Sequence, residues 1–237
     1  MRGGDFQPER RGFRVSTIVI VHGMWSGGWY FQPTARLLRA AGHEVYTPTL
    51  TGIGERVHLG RAEVDLETHV QDIVNVLEYE DLRDVVLAGF SYGGAVVTVV
   101  ADRIPERISQ LVYLDAWVPR DGEAVADLIP EMAARMAEQA RETGDGWQIL
   151  REPPEARKTP HPLRSILQPA RLIGGGAPEL PRSYVHFSRN TFYHAPVMAR
   201  MAAEARAAGW RVRELEADHI APETHPTELA AVILELL

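Results

Sequence analysis

The chain has 237 residues, 45% of them hydrophobic, enough to bury one sizeable core and a common length for a single α/β domain. Its 32 acidic residues outnumber 25 basic ones, for a formal net charge of -7, so no broad basic surface for nucleic acid or anionic lipid is expected, and a small molecule is the expected partner. Cysteine is absent, which excludes disulfides, a thiol nucleophile and thiolate metal ligands.

Residues 1–14 carry Arg2, Arg10, Arg11 and Arg14 and paired glycines without the apolar core of a signal peptide, and they read as a flexible cytoplasmic leader. No apolar run approaches the roughly 20 residues that cross a bilayer, and even Leu111 to Val118 is interrupted by Asp115. A soluble cytoplasmic protein is expected, with neither nucleic acid nor membrane as a partner and with a homodimer left open. Thr17 to Val21 is a β-branched run without alternation, as in a strand buried on both faces of a parallel sheet. Helical spacing over Pro33 to Ala41, Gly42 after its end and a strand over Glu44 to Thr47 complete a parallel crossover unit.

The rhythm continues with a helix over Leu66 to Leu77, a strand over Val85 to Ala88, a helix over Gly93 to Ile104 and a strand over Leu111 to Leu114. Between Pro119 and Pro181 it stops: a helical stretch from Glu123 to Glu142 precedes proline-rich sequence around Pro153, Pro160, Pro162 and Pro169, which reads as an insertion. Ser183 to Phe187 (strand), Ala195 to Gly209 (helix), Arg211 to Leu215 (strand) and an amphipathic helix over Thr227 to Leu237 follow. Such alternation predicts an α/β fold with helices on both faces of the sheet. The expected organisation is a leader at 1–14, a core of 15–118 and 182–237, and a cap-like insertion at 119–181.

Gly89-Phe90-Ser91-Tyr92-Gly93 lies between a predicted strand and a predicted helix, where a nucleophile elbow must stand, and its glycines allow the tight turn that exposes the serine. A serine hydroxyl needs a base, and His219 follows a late strand and precedes the last helix. Oxyanion donors are expected from the amides of Tyr92, after the nucleophile, and Met24, after His22-Gly23. Of the other histidines, His43 reads as a helix-to-strand turn, His58 as a loop, His69 as a solvated helix face and His225 as a neighbour of the last helix. His161, His186 and His194 could approach a cleft but lack metal-ligand spacing, so neither metal nor cofactor is expected.

These residues resemble the α/β-hydrolase family that includes plant methylesterases and hydroxynitrile lyases and related bacterial esterases. The resemblance rests on Val21-His22-Gly23 with Gly27, Gly28 and Trp29, on Gly89 to Gly94, on Tyr113-Leu114-Asp115-Ala116 and on Asp218-His219. It implies an α/β-hydrolase fold, a mostly parallel sheet with a small inserted cap. Plant members carry an aspartate after the strand read here as Ser183 to Phe187, but this chain has Ser188-Arg189-Asn190-Thr191. Asp115 is therefore the expected acid, as in some α/β-hydrolases, with Asn190 the other group that could orient the imidazole. The lyases carry a lysine after the catalytic histidine and a threonine after the first histidine of the early loop. Here Ile220 and Gly23 stand there, and Lys158, the only lysine, is expected to face solvent.

The expected function is a serine hydrolase that cleaves a small hydrophobic or aromatic carboxylic ester through an acyl-enzyme, with Ser91, His219 and Asp115 as the triad. Gly23, Trp25, Trp117 and Trp147 are the expected substrate-binding residues. The alternatives are a lyase or cyclase of polyketide-like compounds at the same site, and a receptor-like binding module.

Overall fold

The β-branched run Thr17–Val21 forms β1, and the chain then alternates as the pattern predicts, in a computed structural model that describes residues 15–237. The expected leader, 1–14, lies outside the described residues. After β1 come α1 (Gln32–Ala40), β2 (Glu44–Tyr46), α2 (Leu66–Tyr79), β3 (Val85–Phe90), α3 (Gly93–Arg103) and β4 (Ile108–Leu114). The segment between the prolines holds α4 (Val125–Leu128), α5 (Pro130–Thr143), β5 (Gln148–Ile149), β6 (His161–Pro162) and α6 (Leu163–Leu167). β7 (Arg182–Phe187), α7 (Ala195–Ala207), β8 (Arg211–Leu215), α8 (Ala221–Thr224) and α9 (Pro226–Leu236) close the chain.

Six strands form one parallel sheet in the order β2-β1-β3-β4-β7-β8. The lack of polar alternation in β1 has a direct cause: Ile18 and Ile20 pack on one side with α1 and α9, while Val19 and Val21 pack on the other with α2, α3 and α7. β3 and β4 divide in the same way, which is why both read as nearly continuous apolar runs. The connections from β1 run to opposite sides of it, so β1 and β3 flank the point where strand order reverses, and a crevice opens there beyond the strand ends. His22 and Ser91 follow those two strands.

Two local expectations need correction. The single helical stretch over Glu123 to Glu142 is two helices, because Ile129 leaves helical geometry (φ -134, ψ 53) and Pro130, which has no amide to donate, opens α5. His69 does not face solvent. It shares the inner face of α2 with Leu66, Val70 and Ile73, at spacings of three and four residues, and is fully buried. Its Nδ1 meets the Tyr92 hydroxyl at 2.8 Å and its Nε2 the Thr51 carbonyl at 2.9 Å, so both nitrogens are partnered. Among the described residues no helix is long and apolar enough to cross a membrane.

Candidate active site

Ser91 sits on the turn between β3 and α3 with a φ of 53°, in the left-handed region that a non-glycine residue rarely adopts. Packing holds the turn: a Cβ on Gly93 would come within 2.4 Å of the Val21 carbonyl oxygen, so the start of α3 can press against β1 only because that position is glycine. A Cβ on Gly23 would lie 2.9 Å from that of Ser91, so the loop after β1 runs directly beside the serine. His22 fixes that loop, with Nδ1 2.7 Å from the Gly23 carbonyl and Nε2 accepting from the Leu50 amide at 3.1 Å. Burial pushes its imidazole down to about 4, which keeps the ring neutral and able to play both parts.

Ser91 and His219 line one cavity with Met24, Trp25, Ser26, Tyr30, Phe90, Trp117, Phe192 and His194. His219 Nδ1 lies 2.7 Å from Asp115 Oδ2, leaving Nε2 as the nitrogen available to the cavity. The imidazole is wedged between rings: Phe90 at 4.7 Å between centroids, Phe192 at 5.8 Å and His194 at 4.1 Å. Asp115 ends β4 with a φ of 43° and is fully buried. Its Oδ1 accepts from the Phe187 amide at 3.2 Å, and its Oδ2 accepts from Asn190 Nδ2 at 2.7 Å as well as facing His219. Burial pushes this carboxyl up, but the ring N–H groups of His186 and His219 and the Phe187 amide outweigh it and bring it down to about 2. His186 Nδ1 stands 3.4 Å from Oδ1 without hydrogen-bond geometry and His219 Nδ1 2.7 Å from Oδ2, so of the two rings His219 is the hydrogen-bonded one.

Asn190 and Asp115 are thus partners rather than rivals. The Asn190 carbonyl accepts from the Phe192 amide at 3.0 Å, which turns the amide nitrogen onto Asp115. Asp218 serves backbone and Thr191: it accepts from the amide of His219 at 2.6 Å and from the amide and hydroxyl of Thr191. Among the described residues no hydrogen bond engages the amides of Met24 or Tyr92. The Tyr92 side chain points away from the cavity, to His69 and the edge of His161.

Two further placements differ from the sequence expectations, and His194, read as able to approach a cleft, does so. Trp147 is not in the cavity wall; it packs where a Cβ on Gly60 would meet its ring at 3.0 Å. Lys158 is not solvent-facing, but forms part of the cavity wall with its Nζ 3.8 Å from the centroid of the Tyr30 ring. His194 joins the wall buried, with neither ring nitrogen hydrogen-bonded among the described residues, and burial next to His219 lowers its imidazole to about 3. Trp25 and Trp117 line the cavity, and Gly23 lies beside it.

Among the described residues one group, Asp115, His194 and His219, could gather around a metal ion, with ligand atoms within 4.8 Å of one another. The partners of the carboxylate decide against that reading: Asn190 and Phe187 are donors, and 2.7 Å to Nδ1 is a hydrogen-bond length.

Comparisons with known proteins bear on the fold and the family. The profile of the alpha/beta hydrolase family matches residues 18–232. A carbendazim hydrolyzing esterase from Nocardioides sp. (strain SG-4G) is 52% identical over 117 residues, 49% of this chain and 48% of that protein. Methylesterase 1 of Arabidopsis thaliana is 28% identical over 131 residues, 54% of this chain and 49% of that protein. The chain's matches therefore span about half the length of these curated relatives. A solved extracellular alpha/beta-hydrolase from a Paenibacillus species, described as sharing structural and functional homology with tobacco Salicylic Acid Binding Protein 2, superposes with a TM-score of 0.80. It is 26% identical, and the match covers 93% of this chain and 98% of that one. With six parallel strands in this order, a serine turn after β3, a histidine after β8 and a family profile over nearly its whole length, the chain belongs to the alpha/beta hydrolase family.

Proposed function

We propose that the protein is a carboxylesterase-type serine hydrolase that cleaves a small, hydrophobic or aromatic ester through an acyl-enzyme. The observation that carries this reading is the imidazole of His219, tied at Nδ1 to the buried carboxylate of Asp115 and placed in the same cavity wall as the left-handed Ser91. In the proposed reaction His219 Nε2 takes the Ser91 proton as Oγ attacks the ester carbonyl. The resulting oxyanion is held by the amides of Met24 and Tyr92. The imidazolium, stabilised by Asp115, then gives its proton to the departing alkoxide, leaving the acyl group on Ser91. Water, activated by the same imidazole, releases the acid and restores the serine.

The aromatic wall of Trp25, Tyr30, Phe90, Trp117, Phe192 and Tyr193 favours a flat or apolar substrate. Residues 119–181 act in this reading as a cap: Arg151, Glu155 and Lys158 stand in the cavity wall, and Trp25 Nε1 donates to the Ile149 carbonyl at 2.9 Å. Esterase action also accords with the names of the Nocardioides and Arabidopsis relatives. A cytoplasmic location and a homodimer belong to the same proposal and await fractionation and a solution mass. The test is a panel of short-chain and aromatic esters assayed with the wild type and Ser91→Ala. Hydrolysis lost with Ser91 is expected, and full turnover by folded Ser91→Ala protein would end the covalent mechanism.

A further inference from the structure

The cavity wall holds a charged group that neither the triad nor an ion pair uses, Lys158. Lys158 reaches it from the cap segment, and its place is set by its neighbour: the Thr159 amide donates to the Trp25 carbonyl at 2.9 Å and the Thr159 hydroxyl accepts from the Gly54 amide at 2.7 Å. The ammonium lies over the face of Tyr30 at 3.8 Å and within 5.4 Å of the Trp29 ring. Two other charged groups share the wall, Arg151 and Glu155, but they form an ion pair with each other. Lys158 has no ion pair among the described residues; Glu155, engaged with Arg151, and Glu223 of α8 act on it only at longer range. The wall therefore carries a net positive charge among aromatic groups, on an ammonium without an ion-pair partner. No hydrogen bond joins it to Ser91, His219 or Asp115 among the described residues, so it is placed to meet a different part of the substrate from the reacting carbonyl.

We propose that Lys158 forms an anion-recognition subsite of the catalytic cavity, which selects esters bearing a second, ionised carboxylate, such as dicarboxylic half-esters. The inference rests on the ester reading above and names its substrate class. An unpaired ammonium removed from water is costly, and a carboxylate that meets it in a poorly hydrated wall gains a charge-assisted hydrogen bond. Burial pulls the amine down to about 8, while Glu155 and Glu223 raise it and Arg151 lowers it; Tyr30 packs beneath it. The group is mostly charged at neutral pH and loses its proton in mild alkali. Anion preference should fade with it, whereas an arginine in its place would stay charged.

The experiment measures binding without chemistry, by calorimetric titration of Ser91→Ala protein with methyl hydrogen succinate and with methyl levulinate, its uncharged near-isostere. At neutral pH the half-ester should bind roughly tenfold or more tightly than the neutral ester, the worth of one charge-assisted hydrogen bond. Adding Lys158→Met should abolish the difference. Lys158→Arg should keep it and, unlike lysine, still keep it near pH 10. The pH series on the lysine protein needs no cap variant, so it decides the matter even if Lys158→Met folds poorly. Equal binding of the two esters by Ser91→Ala protein, or a preference that survives either alkaline pH or Lys158→Met in a folded protein, overturns the subsite. If the Ser91-intact protein hydrolyses neither ester nor 4-nitrophenyl acetate while the binding preference persists, the ester reading fails and the subsite stands.

Discussion

Replacing Asp115 by Asn tests the support of the base at its most connected atom. Oδ2 faces two donors, His219 Nδ1 and Asn190 Nδ2, each at 2.7 Å, while Oδ1 accepts from the Phe187 amide at 3.2 Å. An amide offers one oxygen, so either orientation sets its NH2 group against a buried donor. Turning oxygen toward His219 keeps two bonds and loses the one to Phe187. The expected cost in stability is about 1–3 kcal/mol, the penalty of one buried unsatisfied group. Activity should fall much further, on the order of 10⁴-fold, because a neutral partner no longer favours imidazolium in the transition state. The pH dependence adds an independent sign. The carboxyl of Asp115 is depressed from 3.8 to about 2, so its stabilisation is present above 3.8 and lost as pH falls through about 2. The variant lacks this component, on the order of 2 kcal/mol, and its unfolding free energy should change less across that acid window. Steady-state kinetics on one hydrolysed ester, paired with urea unfolding along a pH series, measures both. Asp115→Asn protein within tenfold of wild-type turnover would refute the assignment of the acid.

Asn190→Ala should be milder, about 1 kcal/mol in stability, since Asp115 keeps His219 and Phe187, and its turnover should stay well above that of Asp115→Asn. Gly93→Ala should lower the melting temperature sharply and abolish activity, because its methyl would meet the Val21 carbonyl at 2.4 Å and the elbow has no room to move; a folded, active Gly93→Ala protein would remove the packing argument. Lys158→Met should raise stability at neutral pH. Folding lowers the lysine from 10.5 to about 8, so the charged form destabilises the folded state, and wild-type stability should climb between those two pH values while that of the variant does not.

The sheet could be read from sequence because every strand of its centre is apolar on both faces, and β1, β3 and β4 each divide their side chains between two helical layers. Ser91, His219 and Asp115 were legible for a related reason: strand ends on a parallel sheet fix where such residues emerge, whatever the loops do. The departures lie where placement depends on distant parts of the chain. His69 has a polar side chain on an apolar helix face, and only the Tyr92 hydroxyl and Thr51 carbonyl explain its burial. Lys158 looks like a solvated charge in a proline-rich run until Thr159 is seen bonded to Trp25 and Gly54, more than 100 residues away in sequence. In sequence Asn190 stands where relatives carry the acid, but its amide orientation, fixed by Phe192, makes it a donor to Asp115. His194, Phe192 and Tyr193 join the cavity from a connection whose course has no periodic signal.

The covalent role of Ser91 is tested most directly by intact-protein mass spectrometry of the enzyme quenched during turnover of 4-nitrophenyl acetate. An added acetyl group mapped to the peptide that contains Ser91, absent from Ser91→Ala and formed far more slowly by His219→Ala, is the expected result. Hydrolysis at full rate with no acyl group on Ser91 at any quench time, by a protein whose Ser91→Ala variant is equally active, would contradict the account.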